Sequence, residues 1–483
     1  MSLYLAVDLG TTGCRSILLD EALDIVASEY EEYGLITPEE NFVEQKAEQW
    51  WEMTLRTAKK AIEKAGGIGK EIDGISISSQ GITIVPVDEA LTPLCNALTW
   101  LDTRAERETN QIQAEFGEKN IFALTGKPIS SAYTLPKLMW LKKNRPEIFE
   151  KAWKFLMPLD FLTAKFTGNC LTDYSMASGT LMYDLKNFCW SKEILDHYGI
   201  EEDKLPTVAS AGTKAGVVLP EVARELGLRD DCVVAIGAQD QKCAAFGAGL
   251  ADGVMTISLG TAAAITKGWT VANTEENNGV GWCGYVEKDS FVTEGVINTA
   301  GTCLRWTRDI FFPGENYDVI DKEADEANKR GSSLLFYPYL AGAGSPDYYP
   351  DAEGSFYGVN LATQRGDFAL AVMEGIAFQI RIILEAMEAY GNVHTLVLFG
   401  GGAKSEFWAS LIANVTGMTI YVPKTSESAA AGAGMLAAKA VGKTLQPLKC
   451  NKVYLPKNAE AYAEKYAKYR KIEKKLWALG DTL

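Results

Sequence analysis

Leu5-Ala6-Val7-Asp8-Leu9-Gly10-Thr11-Thr12-Gly13-Cys14-Arg15-Ser16-Ile17-Leu18-Leu19-Asp20 is the stretch on which the reading of the whole chain turns. Two apolar runs flank a turn of glycines and threonines, which predicts a β-hairpin. Gly10 and Gly13 permit a tight turn and close backbone approach, and the hydroxyls of Thr11 and Thr12 stand beside exposed backbone N–H groups, a combination that suits a phosphate chain. Asp8, ending the first strand, would face a metal ion rather than the phosphate itself. Alone, the stretch reads more readily as a plain hairpin. A second copy changes the balance: Val254-Met255-Thr256-Ile257-Ser258-Leu259-Gly260-Thr261-Ala262-Ala263-Ala264-Ile265-Thr266 repeats strand, Leu-Gly-Thr and strand. Ser258 stands where Asp8 stood, so only the first copy offers a metal-facing carboxylate.

With 483 residues the chain holds two large domains, and the repeat divides it into 1–247 and 248–483. Hydrophobic residues make up 47% and charged residues 23%, the proportions of an ordinary globular protein. A net charge of −16 with no basic stripe excludes a nucleic-acid partner. It also requires that an anionic substrate be held by local devices: backbone N–H groups, a metal ion or a few cations. Nine cysteines, at 14, 95, 170, 189, 232, 243, 283, 303 and 450, contain no CxxC pair and suit the reduced thiols of a cytosol. No apolar run approaches the ~18 residues of a membrane span. A strand beginning near Leu3 leaves no room for a signal peptide. A cytoplasmic location without a membrane partner is therefore expected, and a homodimer is left open.

Between Lys46 and Lys64 the apolar residues recur at helical spacing, and Gly66-Gly67 ends the run. Ile72 to Gly81 reads as a strand that ends in small polar residues, and its carboxyl end presents Gln80, either as a ligand contact or as a turn residue. In Leu98-Thr99-Trp100-Leu101-Asp102-Thr103-Arg104 the alternation predicts an extended segment with Trp100, Asp102 and Arg104 on one face. Such a set grips sugars, and a salt-bridged strand end is the alternative. Leu171 to Thr180 reads as a loop rich in small hydroxyl residues. Asp240, followed by Gln241, lies between a buried strand and a small-residue helix, where an acid serves either as a helix cap or as chemistry. Leu396 to Ser405 is a buried strand, three glycines and a helix, a place where backbone passes close to a planar ligand or a phosphate. It is not a dinucleotide fingerprint, and Gly66-Gly67-Ile68-Gly69-Lys70 is not a P-loop. Phe336 to Asp351 reads as a loop, Glu427 to Gly434 as a helix made for close packing, and the stripe Tyr462, Tyr466, Tyr469, Ile472, Leu476 as surface packing.

Together these motifs resemble the FGGY carbohydrate kinases, which share the fold of actin, hexokinase and the heat-shock chaperone ATPases. The resemblance spans nearly the whole chain. It rests on Asp8 to Arg15 and Thr256 to Thr261 as phosphate motifs and on Leu396 to Ser405 as the adenosine motif. Lys137, Leu138, Trp140 and Leu141 match a further element, and Gly354, Phe356, Gly358, Val359, Asp367, Phe368, Ala371 and Glu374 match the C-terminal signature. The resemblance implies an α/β fold of two duplicated actin/hexokinase-like (ribonuclease H-like) domains with a central ATP and sugar cleft. It implies ATP and Mg²⁺ as cofactors and transfer of the γ-phosphoryl group to a hydroxyl of a small sugar or polyol. It places Asp240 on the general base and Asp8 on Mg²⁺. Thr11, Thr12, Gly13, Arg15, Gly260 and Thr261 would contact the phosphates, and Gly401, Gly402 and Ala403 would lie under the adenine. Gln80, Trp100, Asp102, Arg104, Asp240 and Gln241 would hold the sugar.

Two departures bear on the acceptor. Gly81-Ile82 replaces the Arg-Glu of glycerol kinases and the Met-His usual in xylulokinases, and Gly342-Ala343-Gly344 precedes Ser345-Pro346 where many members carry Gly-Glu-Arg before the proline. A pentulose such as xylulose is the expected acceptor, with glycerol, gluconate or another family substrate as alternatives. An actin-like nucleotide switch is the non-enzyme alternative; it needs no sugar cleft, and the Trp100 and Asp240-Gln241 segments speak against it. The two histidines, His197 and His394, lie outside every motif, so the chemistry is expected to run on carboxylates.

Overall fold

In the computed structural model, which describes residues 2–480, the opening stretch forms the expected hairpin. Strands Leu3–Leu9 and Gly13–Leu19 pair antiparallel, with Asp8 opposite Arg15 and Leu9 opposite Cys14. The turn closes where the Gly10 N–H donates to the Gly13 carbonyl at 2.9 Å. Leu3, Leu5, Val7 and Leu9 enter one core cluster and Ala6 another, so the strand is apolar because it is buried on both faces.

Ile25–Glu32 continues the sheet antiparallel, while Ile72–Ser79 and Val233–Ala235 extend it in parallel on the other side and Lys214–Val217 closes it antiparallel. The short strand Ala238–Gln239 adds to the carboxyl end of Ile72–Ser79. A second seven-stranded sheet repeats this order. The hairpin Val254–Leu259 and Ala263–Trp269 is followed by Phe291–Ile297 on one side. On the other, Thr395–Phe399 and Ile420–Pro423 run parallel and Cys450–Tyr454 antiparallel. The same succession of parallel and antiparallel pairings in both halves is the duplicated actin/hexokinase-like architecture.

Helices Asp240–Gly247 and Ser428–Ala440 lie between the sheets, and the second reaches across to pack on the first sheet. Small residues make this contact. A Cβ on Gly432 would stand 1.9 Å from the Cys243 carbonyl oxygen, one on Gly247 2.1 Å from that of Ser428, and one on Gly74 2.9 Å from that of Ala437. The close-packing role expected of Glu427 to Gly434 is the observed one.

Two expectations are corrected. Leu171 to Thr180 is not a loop but the strand Leu171–Asp173 and the helical turn Tyr174–Ser178, capped by the Asp173 carboxylate, which accepts from the N–H groups of Ser175 and Met176 at 2.9 and 3.0 Å. The tail helix Ala459–Gly480 is more than surface packing. Tyr462, Tyr466 and Tyr469 are buried in the second core, and the Tyr469 ring stacks on Tyr337 with centroids 4.4 Å apart. Among the described residues no helix is long and apolar enough to cross a membrane.

Candidate active site

Two cavities meet at the turn of the second hairpin, the inner lined from both halves of the chain and the outer from the second half alone. The inner one, of about 460 Å³, is lined by Gln80, Trp100, Tyr133, Asp240, Gln241 and Lys242, among others. The outer one, of about 690 Å³, is lined by Leu304, Tyr317, Asp321, Gly401, Gly402 and Trp408, among others. Gly260 and Thr261 line both. The turn of the second hairpin is thus the threshold between them. A ligand seated in the outer cavity with an anionic tail on this turn points that tail into the inner one.

Asp240 opens the helix that follows strand Ala238–Gln239, and the capping role falls to Gln239, whose side chain faces the Lys242 N–H. Asp240 is therefore free for another use. Its Oδ1 accepts from the Gln241 N–H at 2.7 Å and from the Gln239 side-chain amide. Its Oδ2 has no hydrogen-bond partner among the described residues. Burial first, and the charge of Asp8 second, push its carboxyl up to about 7. A carboxylate in that range at a cavity wall can take a proton near neutral pH.

Asp8 sits at the carboxyl end of the central strand, where its Oδ1 accepts from Ser78 Oγ at 3.1 Å. Burial pushes its carboxyl up to about 6. Among the described residues no group of three or more His, Cys, Asp or Glu is arranged to hold a metal ion. Two neighbouring carboxylates without further protein ligands do not make a zinc-type cage. They fit Mg²⁺, which takes one or two carboxylates and completes its shell with water and substrate phosphate oxygens.

The first hairpin is tied to the inner cavity by a chain of hydrogen bonds. Gln80 Nε2 donates to Gln45 Oε1 at 2.8 Å, Gln45 Nε2 donates to the Thr11 carbonyl at 2.6 Å, and the Trp100 indole N–H donates to Thr11 Oγ1 at 2.9 Å. Gln80 Oε1 is buried with no partner among the described residues, and so has an acceptor to spare at the cavity. Gly81 is small because the neighbouring strand passes close: a Cβ there would stand 2.9 Å from Gln239 Cγ. Ile82 adopts φ 69°, a conformation unusual for a β-branched residue, and its carbonyl accepts from Thr134 Oγ1 at 3.0 Å.

The structure does not bring all the expected residues together. Residues 99–104 form turns rather than an extended segment, so Trp100, Asp102 and Arg104 do not share a face. The Asp102 carboxylate accepts from Arg104 Nη2 at 2.6 Å and from the Val43 N–H at 2.7 Å, and Arg104 also reaches Glu44 at 2.7 Å. This pairing curls the chain back on itself. The Arg104 guanidinium is buried between the rings of Phe42 and Trp140, 3.8 and 4.9 Å from their centroids. Asp102 and Arg104 line neither cavity; they hold the turn that presents Trp100. Lys137 helps, its fully buried ammonium donating to the Thr99 carbonyl at 2.7 Å. Arg15 pairs with Glu427 at 2.8 Å, and neither it nor Thr12 nor Gly13 lines either of these two cavities. Ala403 is buried behind Gly401 and Gly402.

Sequence reasoning missed Gln45, Lys127, Tyr133 and Glu294. Each is a single polar residue without a repeated or spaced motif around it; only the fold carries Lys127, Tyr133 and Glu294 to the cavity and Gln45 to its bond with Gln80. Glu294 pairs with Lys242 at 2.6 Å and is held below the usual carboxylate range by that lysine and by Lys127, against the opposing effect of burial.

Family models for the N-terminal and C-terminal domains of the FGGY family of carbohydrate kinases match residues 3–247 and 255–441. The chain is 31% identical over 476 residues to a xylulose kinase of Bacillus subtilis, covering 98% of this chain and 95% of the relative. It is 30% identical over 455 residues to a gluconokinase of the same organism, covering 92% and 88%. The structure of a ligand-bound xylulose kinase from Lactobacillus acidophilus superposes with a TM-score of 0.92 at 26% identity, covering 99% of each chain. With both domain models matched over nearly the whole chain, and a free carboxylate beside the turn that the two cavities share, the chain belongs to the FGGY family of carbohydrate kinases.

Proposed function

We propose that this carbohydrate kinase phosphorylates a ketopentose such as xylulose, seated in the inner cavity, with ATP in the outer one. The observation that carries the reading is the unpaired Oδ2 of Asp240 at the inner cavity wall, beside the Gly260–Thr261 turn that both cavities share. The acceptor hydroxyl lies on Asp240, which takes its proton as the new O–P bond forms. Backbone N–H groups of the two hairpin turns hold the phosphates, and Gly401 and Gly402 let the adenine lie flat beside Trp408. Asp8 holds Mg²⁺, which when bound neutralises charge on the phosphate oxygens. The side chains of Gln80, Trp100, Tyr133 and Gln241 pair with or cover the sugar. The enzyme works in the cytoplasm, where ATP and reduced thiols coexist.

Both the xylulose kinase and the gluconokinase similarities support a polyhydroxylated acceptor of five or six carbons. At Gly81 and Ile82 the wall of the inner cavity carries no charged side chain to grip a small triol. Its polar groups are left unpaired by a substrate with too few hydroxyls, a loss of ~1–3 kcal/mol each. Xylulose, ribulose, fuculose and glycerol compared by ADP release will give xylulose a kcat/KM at least roughly tenfold above glycerol. Glycerol as the best acceptor would overturn this assignment.

A further inference from the structure

The two hairpin turns present the same peptide groups, and the structure holds them by different means. In the second turn the Gly260 carbonyl accepts from the Gly301 N–H at 2.9 Å, and the Thr261 carbonyl from the N–H groups of Ala300 and Thr302 at 3.0 and 3.1 Å. These donors lie at the start of helix Gly301–Phe311, which abuts the turn. In the first turn no backbone N–H among the described residues reaches the equivalent carbonyls of Gly10 and Thr11. Two buried side chains do so instead: Tyr33 Oη donates to the Gly10 carbonyl, and Gln45 Nε2 to the Thr11 carbonyl at 2.6 Å. A carbonyl can only accept, so the Gln45 amide must face it with its nitrogen, which leaves Oε1 to accept from Gln80 Nε2 at 2.8 Å. Gln45 is thereby fixed at both ends. Both peptide bonds of the turn are trans, and in a trans peptide the carbonyl and the next N–H point in opposite directions. Holding the carbonyls of residues 10 and 11 therefore directs the N–H groups of Thr11 and Thr12 away from Tyr33 and Gln45, and neither has a hydrogen-bond partner among the described residues. Thr11 lines only the inner of the two cavities, whereas Gly260 and Thr261 line both. The first turn thus stands on the acceptor side of the threshold, where the last phosphate of a chain entering from the outer cavity arrives.

We infer that Tyr33 and Gln45 are positioning residues of the phosphoryl-transfer site, holding the first turn so that its two free N–H groups meet the γ-phosphoryl group. Neither side chain touches a reactant. The inference rests on ATP occupying the outer cavity with its phosphates at the two turns. Donors fixed before the reaction need no reorganisation as charge shifts on the phosphoryl oxygens. In the second half a helix start supplies that rigidity. In the first half the short strand Glu44–Gln45 and the Tyr33 hydroxyl supply it through side chains.

Two variants of the full-length enzyme test this. Tyr33→Phe removes one donor and keeps the ring, while Gln45→Glu keeps the shape and still accepts from Gln80 but cannot donate to the Thr11 carbonyl. Each is compared with the wild type for kcat, with whichever of xylulose, ribulose, fuculose and glycerol the wild type turns over fastest, so that the identity of the sugar does not enter the outcome. Calorimetry gives the Kd of ADP and of a non-hydrolysable ATP analogue. In each variant kcat will fall roughly 10- to 100-fold, and the analogue will weaken roughly tenfold while the Kd of ADP stays within about threefold. Equal weakening of analogue and ADP would make these residues structural only, and kcat and both Kd values within threefold of the parent would mean that the turn holds itself. Either result overturns the inference and leaves the kinase assignment standing. A cooperative thermal melt reports that a variant is folded; should Gln45→Glu lack one, Tyr33→Phe decides alone. A wild type that neither binds ADP nor turns over any of the four acceptors overturns the nucleotide placement itself, and the inference falls with it.

Discussion

At the scale of single residues the two aspartates are the sensitive points. Asp240→Asn keeps the size and the Gln241 contact of the side chain but removes the basic oxygen, so kcat will fall by ~10²–10⁴-fold while calorimetric ATP binding stays nearly intact. A variant within threefold of the parent would take Asp240 out of the chemistry. The same residue sets a pH dependence. Its folded carboxyl is raised to about 7 by burial and by Asp8, and only the ionised form accepts a proton, so kcat/KM will fall as pH drops through about 7. Asp8, raised to about 6, is near enough to Asp240 for its charge to act there, so the acid limb belongs to the pair rather than to either residue alone. Asp8→Ala will move the Mg²⁺ titration of activity to higher concentration and lower kcat together. An unchanged titration would make Asp8 a structural residue.

At the scale of elements, two glycines of equal size do opposite work. A Cβ on Gly401 meets nothing within 4 Å and projects at the outer cavity, whereas one on Gly432 would press against the Cys243 backbone at 1.9 Å. Gly401→Val will therefore leave the melting temperature nearly unchanged and raise the KM for ATP roughly tenfold, because the space it fills is the nucleotide's. Gly432→Ala will instead lower the melting temperature, at a cost of ~1–3 kcal/mol from forcing the two central helices apart. Thermal melts and ATP saturation curves for both variants separate a ligand-facing glycine from a packing one.

At the scale of the molecule, the two cavities share only the turn at Gly260 and Thr261, while Asp240 follows the first sheet and Gly401 the second. Bringing a phosphorus to an acceptor oxygen then calls for the halves to rotate about the segment 245–253, between helix Asp240–Gly247 and strand Val254–Leu259. Small-angle scattering with xylulose and a non-hydrolysable ATP analogue will give a smaller radius of gyration than the free protein. An unchanged radius under saturating ligands would mean that the site is preformed.

The sequence by itself determined the duplicated hairpins, the parallel strands beside them, the small-residue helices between the sheets and the position of Asp240, because each is written locally, as periodicity or as glycine at a turn. It also carried the family resemblance through these same local motifs. What tertiary structure alone decided is which polar residues face a cavity. Asp102 and Arg104 satisfy one another and Glu44 so completely that nothing remains for a ligand, a result of Phe42 and Trp140 closing over the guanidinium from distant parts of the chain. Lys127 and Glu294, separated by more than a hundred and fifty positions, acquire their meaning only when the second sheet folds against the first domain. Charge pairing depends on distance in space, and spacing along the chain does not record it.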